Sequence, residues 1–195
     1  MSRVRRMRRE DRRAFLLDTA AALIDQGGLG ALTFEALAEA AEVTKTLPYA
    51  YFESKDEILL TLFDRVIGGL DDAVESLLAS DADFETIVEQ SLDVWFAAAK
   101  DHGRLVGALL DGRSIPGLAA AVHRRDRASS KLWHDLVVER FGLRDSEAQV
   151  LAAMLNTTAT ATVELWINKK GSRANLIEAF VKMSSSAARG LQEPG

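Results

Sequence analysis

Residues 37–60 read LAEAAEVTKTLPYAYFESKDEILL, two short helical pieces at a tight turn followed by a capped third helix. Thr33 offers a capping hydroxyl, and Phe34, Leu37, Ala38 and Ala41 then recur at helical spacing as one apolar face. Glu42, Val43 and Thr44 are too few to form a loop of their own, so the chain turns sharply there with Val43 packed inward and Thr44 capping the second helical piece. That piece, around Lys45 to Tyr51, turns Leu47, Tyr51 or Phe52 inward and leaves Lys45, Thr46, Tyr49 and Ala50 outside. Lys, Thr and Tyr can donate to phosphate oxygens, and small side chains let a helix approach base edges. Ser54 stands three residues before Glu57 as a capping box. Ile58, Leu59, Leu62, Phe63, Val66, Ile67 and Leu70 then mark a long amphipathic helix. Lys55 in its exposed first turn opposes the helix dipole, a placement that suits a nearby phosphate.

From about Leu16 to Leu60 this pattern resembles the N-terminal domain of the tetracycline-repressor (TetR) family of bacterial transcription regulators. Leu16, Ala20, Ile24 and Gly27 resemble its first helix and terminating glycine, and Leu32 to Phe34 resemble the start of its second. Tyr49, Tyr51, Phe52, Ser54 and Lys55 resemble its Tyr-x-Tyr-Phe-x-Ser-Lys signature. The resemblance implies a homodimer with a helix-turn-helix head, a helical body that binds a small-molecule effector, and release from a double-stranded DNA operator when the effector arrives. Two departures stand out. Glu42 occupies the turn position where the family has glycine, a strain of about 1 kcal/mol if the backbone is left-handed there. Pro48 lacks an N–H and is expected to push Leu47 out of helical geometry, giving the recognition helix a late or irregular start.

A chain of 195 residues buries roughly 70 % of its unfolded surface on folding and needs no staples. Absence of cysteine excludes disulfides, thiolate metal sites and a cysteine nucleophile, and accords with a reducing cytoplasm. The apolar stretch Ala14 to Ile24 follows a basic segment as a signal peptide does, but Asp18 and Asp25 interrupt or border it and its periodicity is amphipathic. No uncharged apolar run is expected to span a membrane. The net charge of −5 is unevenly distributed: Arg3, Arg5, Arg6, Arg8, Arg9, Arg12 and Arg13 against Glu10 and Asp11 put +5 on the first thirteen residues and leave −10 on the rest. Residues 1–13 read as a basic arm, either solvated or contacting DNA, since arginine suits phosphates and narrow minor grooves.

Prolines are confined to Pro48, Pro116 and Pro194 and no strand-like alternation occurs, so the reading is all-α: a three-helix head over 14–60 and a helical bundle over 61–195. Helix one spans Glu10 to Gln26. The glycines at 27, 28 and 30 cap it rather than cradle a phosphate, because no strand precedes them. In the body, Asp83 caps a helix that Gly103 closes; Leu105 to Leu110 form a short one, and Leu118 to Phe141 a longer one. Ser146 and Gln149 make a capping box before a helix from Glu147 to Asn168, whose stretch Val150 to Trp166 contains a single ionisable residue, Glu164, and so is expected to be buried on more than one side. The last helix spans Arg173 to Arg189.

Candidate DNA contacts are Thr33, Thr44, Lys45, Thr46, Tyr49 and Lys55, with Arg9 and Arg12 from the arm. Candidate effector-lining residues are Trp95, Phe96, Trp133 and Met154, with Asn156, Thr157 and Thr160 as polar groups that need partners in a buried helix, although aromatic and Met side chains at this spacing also serve as plain core. Trp166, Ile177, Phe180, Val181 and Ser184 are the candidate dimer contacts, to pair the last two helices with their symmetry mates. His102, His123 and His134 are too dispersed for a local metal motif, and Gly112 to Gly117 misses the nucleophile-elbow spacing, so no metal, cofactor or catalytic residue is expected. Two other classes fit the same residues less completely. A helical enzyme or carrier with a vestigial head would lack affinity for a palindrome, and an architectural DNA binder driven by the arm would discriminate weakly.

Overall fold

The computed structural model describes residues 8–192; Arg3, Arg5 and Arg6 of the basic arm lie outside the described residues. Among these residues the chain is helical, with no strand: α1 Arg9–Gly27, α2 Phe34–Ala40, α3 Lys55–Phe63, α4 Gly69–Leu78, α5 Phe84–Asp111, α6 Pro116–Phe141, α7 Asp145–Ile167 and α8 Arg173–Gln192. Packing divides it into two units, residues 1–67 with 102–122, and 68–101 with 123–195. The sequence division at 60/61 is linear; the segment 102–122 joins the head only through tertiary contacts.

In the first unit, α1 begins at Arg9, so Arg9, Arg12 and Arg13 of the basic segment are helical. Gly28, at φ 73°, follows α1 and its N–H returns to the Ile24 carbonyl, a geometry open to glycine. Leu16, Ala20 and Ile24 pack in a core with Leu37, Phe52, Ile58, Leu59 and Leu62, which fixes α1, α2 and α3 around one apolar centre. The segment from 102 opens at a break: His102 is non-helical (φ −144°, ψ 37°), one residue before the glycine expected to close the helix. One orphan amide and one guanidinium of this segment find partners in α1. Leu105 N–H donates to Asp25 Oδ1 at 3.0 Å, and Arg104 Nη1 donates to the Gln26 carbonyl at 2.5 Å. At Gly112 in the following turn a Cβ would lie 2.1 Å from Leu118 Cδ2, so any larger residue would force the buried Leu118 side chain to shift.

The helix after Ser54 is not uniform. A π-turn over Asp64–Gly68 separates α3 from α4, an irregularity the periodicity did not reveal. In the second unit, Asp83 caps α5 through Thr86 N–H at 2.8 Å, as expected, and these hydrogen bonds hold its carboxyl below the usual range. The α7 capping box is displaced: Glu147 accepts the Arg144 backbone N–H at 3.1 Å and α7 starts at Asp145, so Ser146 lies inside the helix and Gln149 bonds Asp145 instead. The body core joins Phe84, Ile87, Leu92, Phe96, Trp133, Val137, Leu151, Leu155, Phe180 and Ala188.

Within a single chain α7 is buried along one side. Leu151, Ala152, Leu155 and Val163 face the core, but Val150, Ala153, Thr157, Thr160 and Leu165 are exposed along another side. By length and composition α7 is apolar enough to cross a membrane, a property that the core helix of a soluble protein shares.

Candidate nucleic-acid interface

The turn between α2 and the outer segment is a Schellman motif. Val43 N–H bonds Ala38 O at 3.0 Å, Glu42 N–H bonds Glu39 O at 3.1 Å, and Glu42 lies at φ 54°, the left-handed geometry anticipated for this position. Thr33 caps α2 by accepting Ala36 N–H at 3.0 Å, which leaves its own hydroxyl proton available to another acceptor. Val43 is half-buried beneath the turn.

The outer segment itself differs from a recognition α-helix. Residues 45–47 form turns and Pro48–Ala50 one 3₁₀ turn, closed by Leu47 N–H to Thr44 O at 2.9 Å and Tyr51 N–H to Pro48 O at 3.0 Å. Pro48 is buried at the first position of that turn, where a missing N–H costs no intrahelical bond. Leu47 nevertheless keeps helical angles (φ −64°, ψ −45°), so the expected displacement from helical geometry does not occur; the irregularity lies in the tightness of the turn. Thr44 does not cap it through its side chain: its hydroxyl instead meets that of Thr46 at 3.4 Å.

Lys45, Thr46, Tyr49 and Ala50 all project outward. Tyr49, 58 % exposed, lies flat on Phe34 of α2 with ring centroids 4.3 Å apart, so its phenol is positioned by stacking rather than by burial. Lys55 is half-buried rather than free in its first turn; its ammonium donates to the Leu29 carbonyl at 2.6 Å and ties α3 to the chain after α1. Ser54 accepts Glu57 N–H at 3.1 Å, one half of the anticipated capping box, but Glu57 accepts Glu53 N–H at 2.7 Å in place of that of Ser54, so the box is not closed reciprocally. Arg9 lies 5.9 Å from the Tyr51 ring centroid, while Arg12 is half-buried. Arg13, counted with the basic arm in the sequence, instead pairs with Glu57 at 3.0 Å and covers the Phe52 ring, which fastens α1 to α3.

The candidate effector residues of the body scatter. Phe96 and Trp133 are core, Phe96 meets Trp166 edge-on at 5.2 Å, and Met154 packs half-buried against the same cluster. Asn156 is satisfied inside the chain, accepting from Ser129 at 2.7 Å and donating to Ser130 and the Ala152 carbonyl at 3.2 Å. Thr157 and Thr160 point outward, and Thr160 bonds back to the Asn156 carbonyl. Half-buried Trp95 carries the Arg125 guanidinium 4.9 Å above its ring, and Arg125 in turn holds both Asp71 oxygens at 3.1 Å. Burial pushes the Asp71 carboxyl up and outweighs the pull of Arg125.

The candidate dimer residues also divide. Phe180 is only 5 % exposed, and Ser184 is buried with its hydroxyl on the Phe180 carbonyl, so both belong to their own chain's core. Trp166, Ile177 and Val181 are half-buried.

A capped α2, a left-handed turn and an outward-facing polar segment on a three-helix core define a helix-turn-helix head. Residues 16–62 match the family of bacterial regulatory proteins described as the tetR family, so the head is similar to the DNA-binding head of that family. The transcriptional regulator EthR of Mycobacterium tuberculosis is 33% identical over 95 residues, 48% of this chain and 44% of that protein, so the match spans less than half of EthR. The transcriptional activator FasR of Mycolicibacterium smegmatis is 24% identical over 165 residues, 84% of this chain and 75% of that protein. In fold, the chain is similar to a TetR-like transcriptional regulator from Rhodococcus sp. RHA1, with a TM-score of 0.75 and 19% identity over 97% of this chain and 100% of that one. It is also similar to the fatty acid degradation regulator FadR from Bacillus halodurans, with a TM-score of 0.73 and 18% identity over 91% and 96% of the two chains. These relatives are regulators of transcription rather than enzymes.

Proposed function

We propose that the protein is a cytoplasmic one-component repressor that binds a palindromic operator as a two-fold dimer and leaves it when a small molecule binds the body. The observation that carries this reading is the outward row of Lys45, Thr46 and Tyr49 on a segment fixed by the Schellman turn and the Phe34 stack. Lys45 and Thr46 contact bases or phosphates in this reading. Thr33 and Tyr49 suit phosphates, with Arg9 and Arg12 alongside, while Thr44 and Lys55 contribute first to the local structure. The exposed sides of α7 and α8, rather than Phe180 and Ser184, supply the dimer face: Val150 and Leu165 on one, Met183 on the other. The effector acts by its differential affinity for two arrangements of the dimer, of which only one fits both half-sites.

Selection of bound fragments from genomic DNA tests this. The expected product is one palindrome with half-sites separated by roughly 34–36 Å or a multiple of it. Uniform binding of all fragments, with steep salt dependence and no shared sequence, would show a non-specific binder instead.

A further inference from the structure

An open groove of about 810 Å³ runs between α5 and α8 of the body, large enough for a small molecule. Its α5 wall presents Glu85, Glu89 and Asp93 at four-residue spacing, one face of the helix. Two of these carboxylates have cations from α8: Arg189 meets Glu85 at 2.9 Å and Arg173 approaches Asp93 at 2.7 Å. Glu89, midway, has no ion-pair partner among the described residues; with Glu178 and Lys182 the lining holds four carboxylates against three cations, a net negative groove.

Deeper in the groove two polar groups lack hydrogen bonds. Ser185 is 2 % exposed and its hydroxyl has no partner; Asp93 Oδ1 is shielded from water and, despite the nearness of Arg173, accepts no aligned N–H. Buried oxygens in this state are costly, and the Asp93 oxygen can be satisfied only by a donor. Beside them Ile177 and Val181, four residues apart on α8, give a half-buried apolar strip. A ligand carboxylate would bring a second acceptor-only group to Asp93 and a like charge to Glu89. An uncharged alkyl chain would leave both oxygens unsatisfied.

We infer that this groove binds a small aliphatic amine in its ammonium form, with the cation at Asp93 and Glu89, a donor for Ser185, and the alkyl portion on Ile177 and Val181. As an effector class this rests on the regulator reading above; as a binding site it is measured without DNA.

The test titrates hexylammonium into the full chain and follows backbone amide shifts of Ile177, Val181 and Ser185, with hexanol and hexanoate as comparison probes. Saturable shifts are expected for hexylammonium alone. Glu89→Gln, which breaks no contact in the protein, and Asp93→Asn are each expected to weaken binding roughly tenfold, the size of one lost charge-assisted hydrogen bond. Glu139→Gln, on exposed α6 surface, should leave it unchanged. Absence of saturation, equal binding of hexanol, or unchanged affinity in both groove variants would overturn the inference. Loss of operator binding with retained amine binding would instead fault the regulator reading.

Discussion

Glu42 and Lys169 share an unusual geometry, φ 54° and 57°, each just after a helix whose last carbonyls they help to satisfy. A side chain at such a position is strained where glycine is not, so Glu42→Gly and Lys169→Gly should each raise stability by up to about 1 kcal/mol, less the added freedom of the unfolded chain. Urea denaturation of the two variants checks this, and a loss of stability in both would show that the strain is absent. His134 presents a different balance. Its ring lies between Asp135 at 3.1 Å and Asp145 at 3.0 Å, and only the imidazolium can donate to both. The hydrogen bond to Asp135, then that to Asp145, holds its pKa above the ordinary histidine value despite some desolvation, while Lys131, bound to Asp135, competes for that carboxylate. A folded-state pKa raised in this way gives stability that is complete below the unfolded value of about 6.5 and lost as pH rises through the higher folded value. His134→Gln should therefore be least stable relative to the natural chain at acidic pH, with the gap closing on the alkaline side. Thermal melts across that range measure it; a gap that stays constant would mean the bridge does not form.

At the level of elements, the π-turn Asp64–Gly68 runs directly into a glycine pair. Gly68 has helical angles (φ −56°, ψ −43°) and open space where a Cβ would go, so glycine there is neither required by conformation nor by packing. Gly68→Ala should stabilise the helix by roughly 0.5–1 kcal/mol, read from the denaturation midpoint. A destabilised variant would show that the π-turn depends on the glycine. This junction also marks where the sequence became silent. The caps at Thr33, Ser54 and Asp83, the helix break beside Gly103 and the left-handed Glu42 were legible because each is a local contest between a backbone group and its nearest side chains. The π-turn was not, since one extra residue in a turn hardly alters apolar spacing. Nor was the burial of Phe180 and Ser184: periodicity identifies an apolar face without saying whether its own chain or a second copy covers it. For the same reason Asn156 read as a cavity group, when Ser129 and Ser130 on α6, twenty-seven and twenty-six residues away, satisfy it.

For the whole molecule, the proposed dimer makes opposite demands on two residues of α8. Met183 is 41 % exposed and Phe180 only 5 %, although they are three positions apart. If α7 and α8 pair with their symmetry mates, Met183→Asp should yield folded monomers that lose operator affinity, because a charge would be buried in an isologous contact. Phe180→Asp should unfold the body instead, since it places a charge in the core. Light scattering with far-ultraviolet circular dichroism separates the two outcomes. A Met183→Asp dimer that still binds operator would move the interface to another face.

The carboxylate of Asp25 gives one amide proton an unusual allegiance. Leu105 N–H belongs to the segment after His102 but is held by α1, across eighty residues of chain. Its exchange with solvent deuterium therefore reports fraying of the α1 C-terminus rather than of its own helix. Asp25→Ala should accelerate exchange at Leu105 while leaving Leu109, deep in the same segment, protected. One amide thus becomes a local clock for how firmly the head grips that segment.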